Sequence, residues 1–209
     1  MSFQLDAELS KVTALSSIQR KSSTKTDLIL DGEDLILEEV KINGMVLSSS
    51  EYSTPSGKLI ISKSALPEED FTLETTVVLH PAKNLALSGL YASGDHLLCT
   101  QCEAMGFRRI TFHLDRPDIL SVYTVRLEAE KSRFPILLSN GNLVQSGEVE
   151  GSSPLRHWTL WEDPFPKPSY LFALVAGDLG FIKDTYTTMS GRTVTLGIYS
   201  DKGKEDYNS

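Results

Sequence analysis

Cysteine is scarce in this sequence, with 2 among 209 residues, Cys99 and Cys102. A secreted domain of this size held by disulfides normally carries more, so a reducing compartment is expected, the cytosol or an organelle stroma. Long apolar runs are missing as well. The longest, residues 170–177, falls far short of the roughly 20 residues that a membrane-spanning helix requires. The opening Met1-Ser2-Phe3-Gln4 has neither a basic n-region nor an apolar h-region, so no secretory signal is read there. Positive charge is in deficit: 20 Lys and Arg stand against 28 Asp and Glu, a formal net charge of −8. Binding to nucleic acid or to an anionic membrane relies on Lys and Arg neutralising phosphates, and this balance has the opposite sign. Neither partner is expected. Catalytic signatures are absent too, with no G-x-S-x-G elbow, no H-E-x-x-H, no P-loop and no dinucleotide fingerprint. What remains is an ordinary globular composition, 40% hydrophobic and 23% charged, long enough to bury a core without staples.

The periodicity present is that of strands. Apolar and polar residues alternate in Phe71-Thr-Leu73-Glu-Thr75-Thr-Val77-Val-Leu79, in Ile110-Thr-Phe112-His-Leu114, in Tyr123-Thr-Val125-Arg-Leu127-Glu-Ala129 and in Val194-Thr-Leu196-Gly-Ile198. Turn residues separate such runs. Asn43-Gly44 is a strong two-residue hairpin signal, because both residues tolerate positive φ. Ser139-Asn140-Gly141-Asn142 and Ser190-Gly191 read as further turns. Prolines in Trp161-Glu-Asp-Pro164-Phe-Pro166-Lys-Pro168 impose an extended chain, since each fixes φ and disfavours helix in the residue before it. At the start, Leu5, Leu9, Val12 and Leu15 fit helical spacing as well as strand alternation, and the pattern leaves both open. The sum is an all-β fold, a mostly antiparallel β-sandwich or strongly twisted sheet assembly. A single domain over residues 1–200 and a polar tail over 201–209 are expected.

Few residues suggest chemistry. His96-Leu-Leu-Cys99-Thr-Gln-Cys102 could serve half of a zinc site or a redox dithiol, but a structural zinc normally needs four ligands, and His80, His113 and His157 are isolated. Two small semi-buried thiols are the reading preferred. Asp115-Arg116 before Pro117 reads as a turn-closing ion pair. Trp158, Trp161, Phe165 and Tyr170 read as core or domain-interface packing.

One stretch says more. Gly89-Leu-Tyr91-Ala-Ser-Gly94-Asp-His-Leu-Leu-Cys99-Thr-Gln101-Cys-Glu103-Ala104-Met-Gly106-Phe107-Arg108 resembles the N-terminal domain of the aminopeptidase N family of zinc metallopeptidases, in its bacterial and plant branch. Further blocks follow in the same order: Ile110 to Asp118, Leu137 to Asn142, Trp161 to Pro168, Tyr170 to Asp178, and Thr187 to Arg192. The resemblance implies a saddle-like, mostly antiparallel β domain packed against a thermolysin-like catalytic domain, and strands at the ambiguous start. It also implies that the loop Thr100-Gln101-Cys102-Glu103-Ala104 reaches the active-site cleft. There Glu103 would help bind the α-ammonium of a peptide substrate, and Gln101 would line the pocket for its first side chain. The family's G-x-M-E-N segment and zinc helix do not occur here. The implied zinc therefore belongs to the parent enzyme, no metal ligand or catalytic residue is assigned to this chain, and the chain alone is expected to be inactive. The downstream catalytic domain is the implied partner, beside the peptide substrate. A stand-alone β interaction module without chemistry is the competing reading.

Overall fold

The structure is a computed structural model describing residues 1–21 and 26–204. The chain opens with β1 (Ser2–Gln4), β2 (Ser10–Ile18), β3 (Leu28–Asp31), β4 (Ile36–Ile42), β5 (Met45–Val46), β6 (Tyr52–Ser53), β7 (Lys58–Ile61) and β8 (Phe71–Leu79). It continues with β9 (Gly89–Ser93), β10 (Leu97–Gln101), β11 (Leu120–Glu130), β12 (Ile136–Ser139), β13 (Asn142–Val149) and β14 (Arg156–Pro168). The series ends with β15 (Leu174–Gly177), β16 (Leu179–Thr187) and β17 (Thr193–Asp201). Three short 3₁₀ turns, Pro81–Lys83, Phe107–Arg109 and Ser169–Leu171, are the helical pieces among the described residues. The all-β, mostly antiparallel expectation holds.

Eight strands form the main sheet in the order β13-β14-β11-β1-β2-β8-β4-β5. All neighbours are antiparallel except β1 and β11, which run parallel with Phe3 opposite Leu127. The open segment at the start therefore resolves as strands, and Leu9 and Leu15 stay exposed. Alternation decides which face is buried. Phe71, Leu73, Val77 and Leu79 of β8 and Tyr123, Val125, Leu127 and Ala129 of β11 join one continuous core. Two smaller sheets contribute to that core, β12-β15-β10-β9 through Leu137, Ala176, Leu98 and Leu90, and β3-β7-β6 through Leu30, Leu59 and Ile61.

Turn chemistry acts as the sequence indicates. Asn43 (φ 50°) and Gly44 (φ 78°) join β4 to β5 in a two-residue hairpin, and the Asn43 side-chain oxygen accepts the Thr72 N–H at 2.9 Å. The Ser139-to-Asn142 turn passes the chain from the four-stranded sheet to the main one. In β14 the prolines at 164 and 166 fall where pairing with β11 skips from Asp163 to Lys167, and pairing with β13 has already ended at Glu162. A residue without an N–H costs least there.

Two expectations change, at Ile110 to Leu114 and at Asp115. Ile110 to Leu114 is not a strand: it follows a 3₁₀ turn, and only His113 forms an isolated bridge, to Asp31. Ile110, Thr111 and Phe112 are buried in succession, without the alternation between faces that the sequence pattern suggested. Of the residues read as core or domain-interface packing, Trp161 packs against the core, and Phe165 is 75% exposed and outside this chain's core. Asp115 pairs elsewhere than with Arg116, as the next subsection describes. The tail expected over 201–209 lies, from residue 205 on, outside the described residues.

Candidate functional site

The loop that carries Gln101 and Glu103 leaves the end of β10. Strand β10 is fixed on both sides, to β9 with Gln101 opposite Gly89, and to β15. Where the ladder to β15 ends, the Thr100 hydroxyl takes over, accepting the Leu174 N–H at 2.9 Å. Cys102 then turns into the core at 3% exposure, which leaves Gln101 and Glu103 pointing outward on either side of it. Burial, with Asp115 adding to it, pushes the Cys102 thiol up to about 12. It stays protonated at neutral pH and packs as a small apolar residue. The amide of Gln101 donates to the Glu103 main-chain oxygen at 3.2 Å, so the structure brings the two predicted residues together. The Glu103–Ala104 peptide is cis.

Gly106 closes the loop by donating its N–H to the Cys102 oxygen at 2.8 Å. A Cβ there would lie 2.3 Å from the Gln101 oxygen and 2.8 Å from the Ser88 hydroxyl, so only glycine fits this approach. The chain then drops into the core at Phe107, 1% exposed. Arg108 anchors this side. Its Nε donates to Asp115 Oδ2 at 2.9 Å, its backbone N–H to the same oxygen at 3.3 Å, and its Nη2 to the Asp115 main-chain oxygen at 3.2 Å. The Ser169 hydroxyl donates to Asp115 Oδ1 at 2.5 Å. Arg116 instead pairs with Asp118, through Nε at 2.9 Å. The physical reason is burial: Asp115 is 5% exposed and needs an inward partner, while the Arg116 side chain is 64% exposed.

Sequence reasoning missed this tether and the exposed apolar residues on the loop and on the segment before Ser88. Met105 is 62% exposed, and Leu85 and Leu87 are 88% and 57% exposed on the segment leading to Ser88, which abuts Gly106. The available signal was three apolar residues in turn-rich sequence with no periodicity. A carboxylate and an amide beside apolar surface can hold a cation whose neighbouring group is greasy.

His113 sits behind the loop with its ring edge-on to Phe107, centroids 4.9 Å apart, and its Nε2 is buried without a hydrogen-bond partner. Burial holds its pKa below the usual 6.5, outweighing Asp115 and Asp31, which raise it. The folded-state pKa is the lower one. The stability carried by the neutral ring is therefore complete above about 6.5 and is lost as pH falls from there toward the folded pKa. Urea unfolding is expected to show wild type losing stability between pH 7 and pH 5.5 with a steeper slope than His113→Gln. Equal slopes would mean that another group senses the proton.

Among the described residues no three His, Cys, Asp or Glu side chains converge. His80 Nδ1 meets the Glu8 oxygen, His157 Nε2 meets the Phe134 oxygen, and His96 lies beside Asp201. Cys99 and Cys102 are free thiols, and Cys99 contacts Tyr91, whose hydroxyl is raised by that hydrogen bond and by burial.

The family model for the Peptidase M1 N-terminal domain matches residues 1–171. The chain belongs to this family. Relatives of this M1 N-terminal domain include Aminopeptidase N of Escherichia coli K12, 50% identical over 206 residues, and Aminopeptidase N of Haemophilus influenzae, 46% identical over 203. The matches cover 99% and 97% of the chain but 23% of each relative, so the chain spans about a quarter of their length. Among solved structures, aminopeptidase A of Legionella pneumophila in complex with aspartic acid superposes with a TM-score of 0.84 at 33% identity, over 98% of this chain and 24% of that one. A mutant M1 zinc metallopeptidase from Deinococcus radiodurans, bound to a Tyr-Ser-Ala substrate, shares the fold with a TM-score of 0.78 at 16% identity, over 97% and 46%.

Proposed function

We propose that this chain is the substrate-anchoring N-terminal domain of a zinc aminopeptidase that removes N-terminal residues from peptides. Glu103 takes the substrate α-ammonium, and Gln101 borders the pocket for the first side chain. The single observation that supports this best is the loop itself, which leaves Gln101 and Glu103 exposed, with the Gln101 amide bound to the Glu103 main-chain oxygen, on a base fixed by Gly106, Arg108 and Asp115. An ammonium in a poorly hydrated cleft needs a carboxylate, because an unpaired charge there is very costly. Holding the peptide's end in register also places only the first bond at the reacting centre.

The chain's own groups bind and orient in this reading. Zinc, in the longer polypeptide, supplies the activated water, and the remaining catalytic groups belong there too. The 209-residue chain alone is silent in hydrolysis. Its two free thiols accord with a reducing compartment, cytosol or organelle stroma. The test compares a peptide with its N-acetylated form as substrates of the longer enzyme. Wild type prefers the free amine strongly, and Glu103→Gln narrows that ratio. An unchanged ratio assigns the ammonium to other groups.

A further inference from the structure

The two ends of the loop that carries Gln101 and Glu103 are held by one short stretch of chain. The loop enters at Thr100, whose hydroxyl accepts the Leu174 N–H at 2.9 Å. It leaves at Arg108, whose Nε donates to Asp115 Oδ2 at 2.9 Å, while Asp115 Oδ1 accepts the Ser169 hydroxyl at 2.5 Å. Between Ser169 and Leu174 runs a 3₁₀ turn in which the Phe172 N–H donates to the Ser169 oxygen at 3.0 Å. This stretch is pinned from its other side. Asn140, in the turn after β12, accepts the Ala173 N–H on Oδ1 at 2.6 Å and donates from Nδ2 to the Leu171 oxygen at 3.1 Å. The Ser139 hydroxyl donates to the Ala173 oxygen at 2.9 Å. Phe172, 3% exposed, stacks on Phe3 at 6.0 Å and meets Phe107 edge-on at 5.3 Å between centroids. Residues 169–174 are thus a rail, and both feet of the loop stand on it.

The foot at Asp115 is built from groups that are costly to bury. Asp115 and Ser169 are 5% and 2% exposed. A buried ion pair is a poor source of stability, because desolvation offsets much of its attraction and apolar side chains of similar volume often serve as well. What such a carboxylate supplies is direction, with one oxygen facing Arg108 and the other facing Ser169. We propose that Asp115 and Ser169 are positioning residues: by fixing the loop's exit to the rail that also fixes its entry, they set where the Glu103 carboxylate stands. They touch no substrate and act through Glu103. The proposal deepens the function proposed above and rests on it. Placement matters at such a site, since a shift of about 1 Å in a held substrate can cost on the order of 100-fold in rate.

Ser169→Ala tests it, because it removes one hydroxyl and leaves the Arg108–Asp115 pair in place. In the 209-residue chain the Gly106 amide, bonded to Cys102 across the loop, is expected to exchange about 10-fold faster, with amides paired between β11 and β14 unchanged. In the longer enzyme, kcat/KM for an aminoacyl-p-nitroanilide is expected to fall about 10-fold. Made in the Glu103→Gln background, the same substitution is expected to change kcat/KM by less than about twofold, since the loss runs through that carboxylate. Ser10→Ala is the control for loss of a buried hydroxyl: Ser10 is fully buried on β2, bonds Asp6, and lies away from the loop. It is expected to leave loop exchange and kinetics as in wild type. A loss of equal size with and without Glu103 would make Ser169 a general support of the fold and overturn the proposal. So would Gly106 exchange that Ser169→Ala does not move. Glu103→Gln with wild-type kinetics would sink the anchor reading itself, and this proposal with it. A large effect of Glu103→Gln beside an indifferent Ser169→Ala would sink this proposal alone.

Discussion

Glu103→Ala, introduced into the longer enzyme, is expected to lower kcat/KM for peptides with a free amino terminus by about 10- to 200-fold. The magnitude follows from a hydrogen bond to a charged group, roughly 1.5–3 kcal/mol. Several carboxylates can share one ammonium, which keeps the loss near this range rather than complete. Part of the loss can appear in kcat, because a peptide held out of register presents its bond badly to the reacting groups. Zinc content and folding stay as in wild type, since the loop offers no metal ligand set and Glu103 is exposed. Glu69→Ala is the control. Glu69 is an exposed carboxylate in the polar turn before β8, where a solvated charge matters little. If Glu103→Ala stays within about twofold of wild type, the loop is not the ammonium anchor and its carboxylate is an ordinary surface group.

Phe107→Ala is expected to cost about 3–5 kcal/mol of unfolding free energy, the range for deleting a fully buried phenyl ring. The ring is 1% exposed. It meets His113 at 4.9 Å, Phe172 at 5.3 Å and Tyr123 at 6.0 Å between centroids, each edge-on. Such pairs contribute about 0.5–1.5 kcal/mol beyond area burial. Three segments converge on this one side chain: the stretch after its own 3₁₀ turn through His113, β11 through Tyr123, and the approach to β15 through Phe172. Collapse into the hole is hard, because Asp115 and Arg108 fix the backbone on one side and Ser169 on the other. The urea midpoint reads the effect, and Phe107→Leu is expected to lose about a third as much. Amides of residues 102–106 should exchange faster in Phe107→Ala, since the loop loses its inward anchor. A destabilisation below about 1 kcal/mol would show that the ring is not a keystone of this core.

Much of the fold was written in period two, and some of it could not be. β8 and β11 alternate along a half-buried face, so their strand character and their inward residues follow from sequence directly. Asn43-Gly44 specified its hairpin because few other residue pairs tolerate two successive positive φ angles. Pairing partners were not legible. Alternation says which face a residue takes, and says nothing about which strand lies beside it, so the insertion of β1 beside β11 left no trace. Ile110, Phe112 and Leu114 imitate a strand, but the segment crosses the interior, and burial of Thr111 between them is a tertiary fact. The tether of Asp115 to Ser169, distant in sequence, was equally invisible. Glu103 is the sharpest case. By composition it is one acidic turn residue among many, no different from Glu69, and only the order of the surrounding motifs singled it out. Its neighbours explain the placement: Cys102 goes inward and Gly106 closes the turn, so the carboxylate has nowhere to go but out.

The three-residue strand β1 sits between β11 and β2, with both its edges occupied. Phe3, the buried heart of that strand, lies opposite Leu127. During synthesis β1 therefore waits for Arg126 to Glu128 of β11 before its slot exists. Sequence-distant closures of this kind carry a large loop-entropy cost and slow the search for the native state. Until then β2 and β8 can zip together with a bare edge on β2, a template for pairing with another nascent chain.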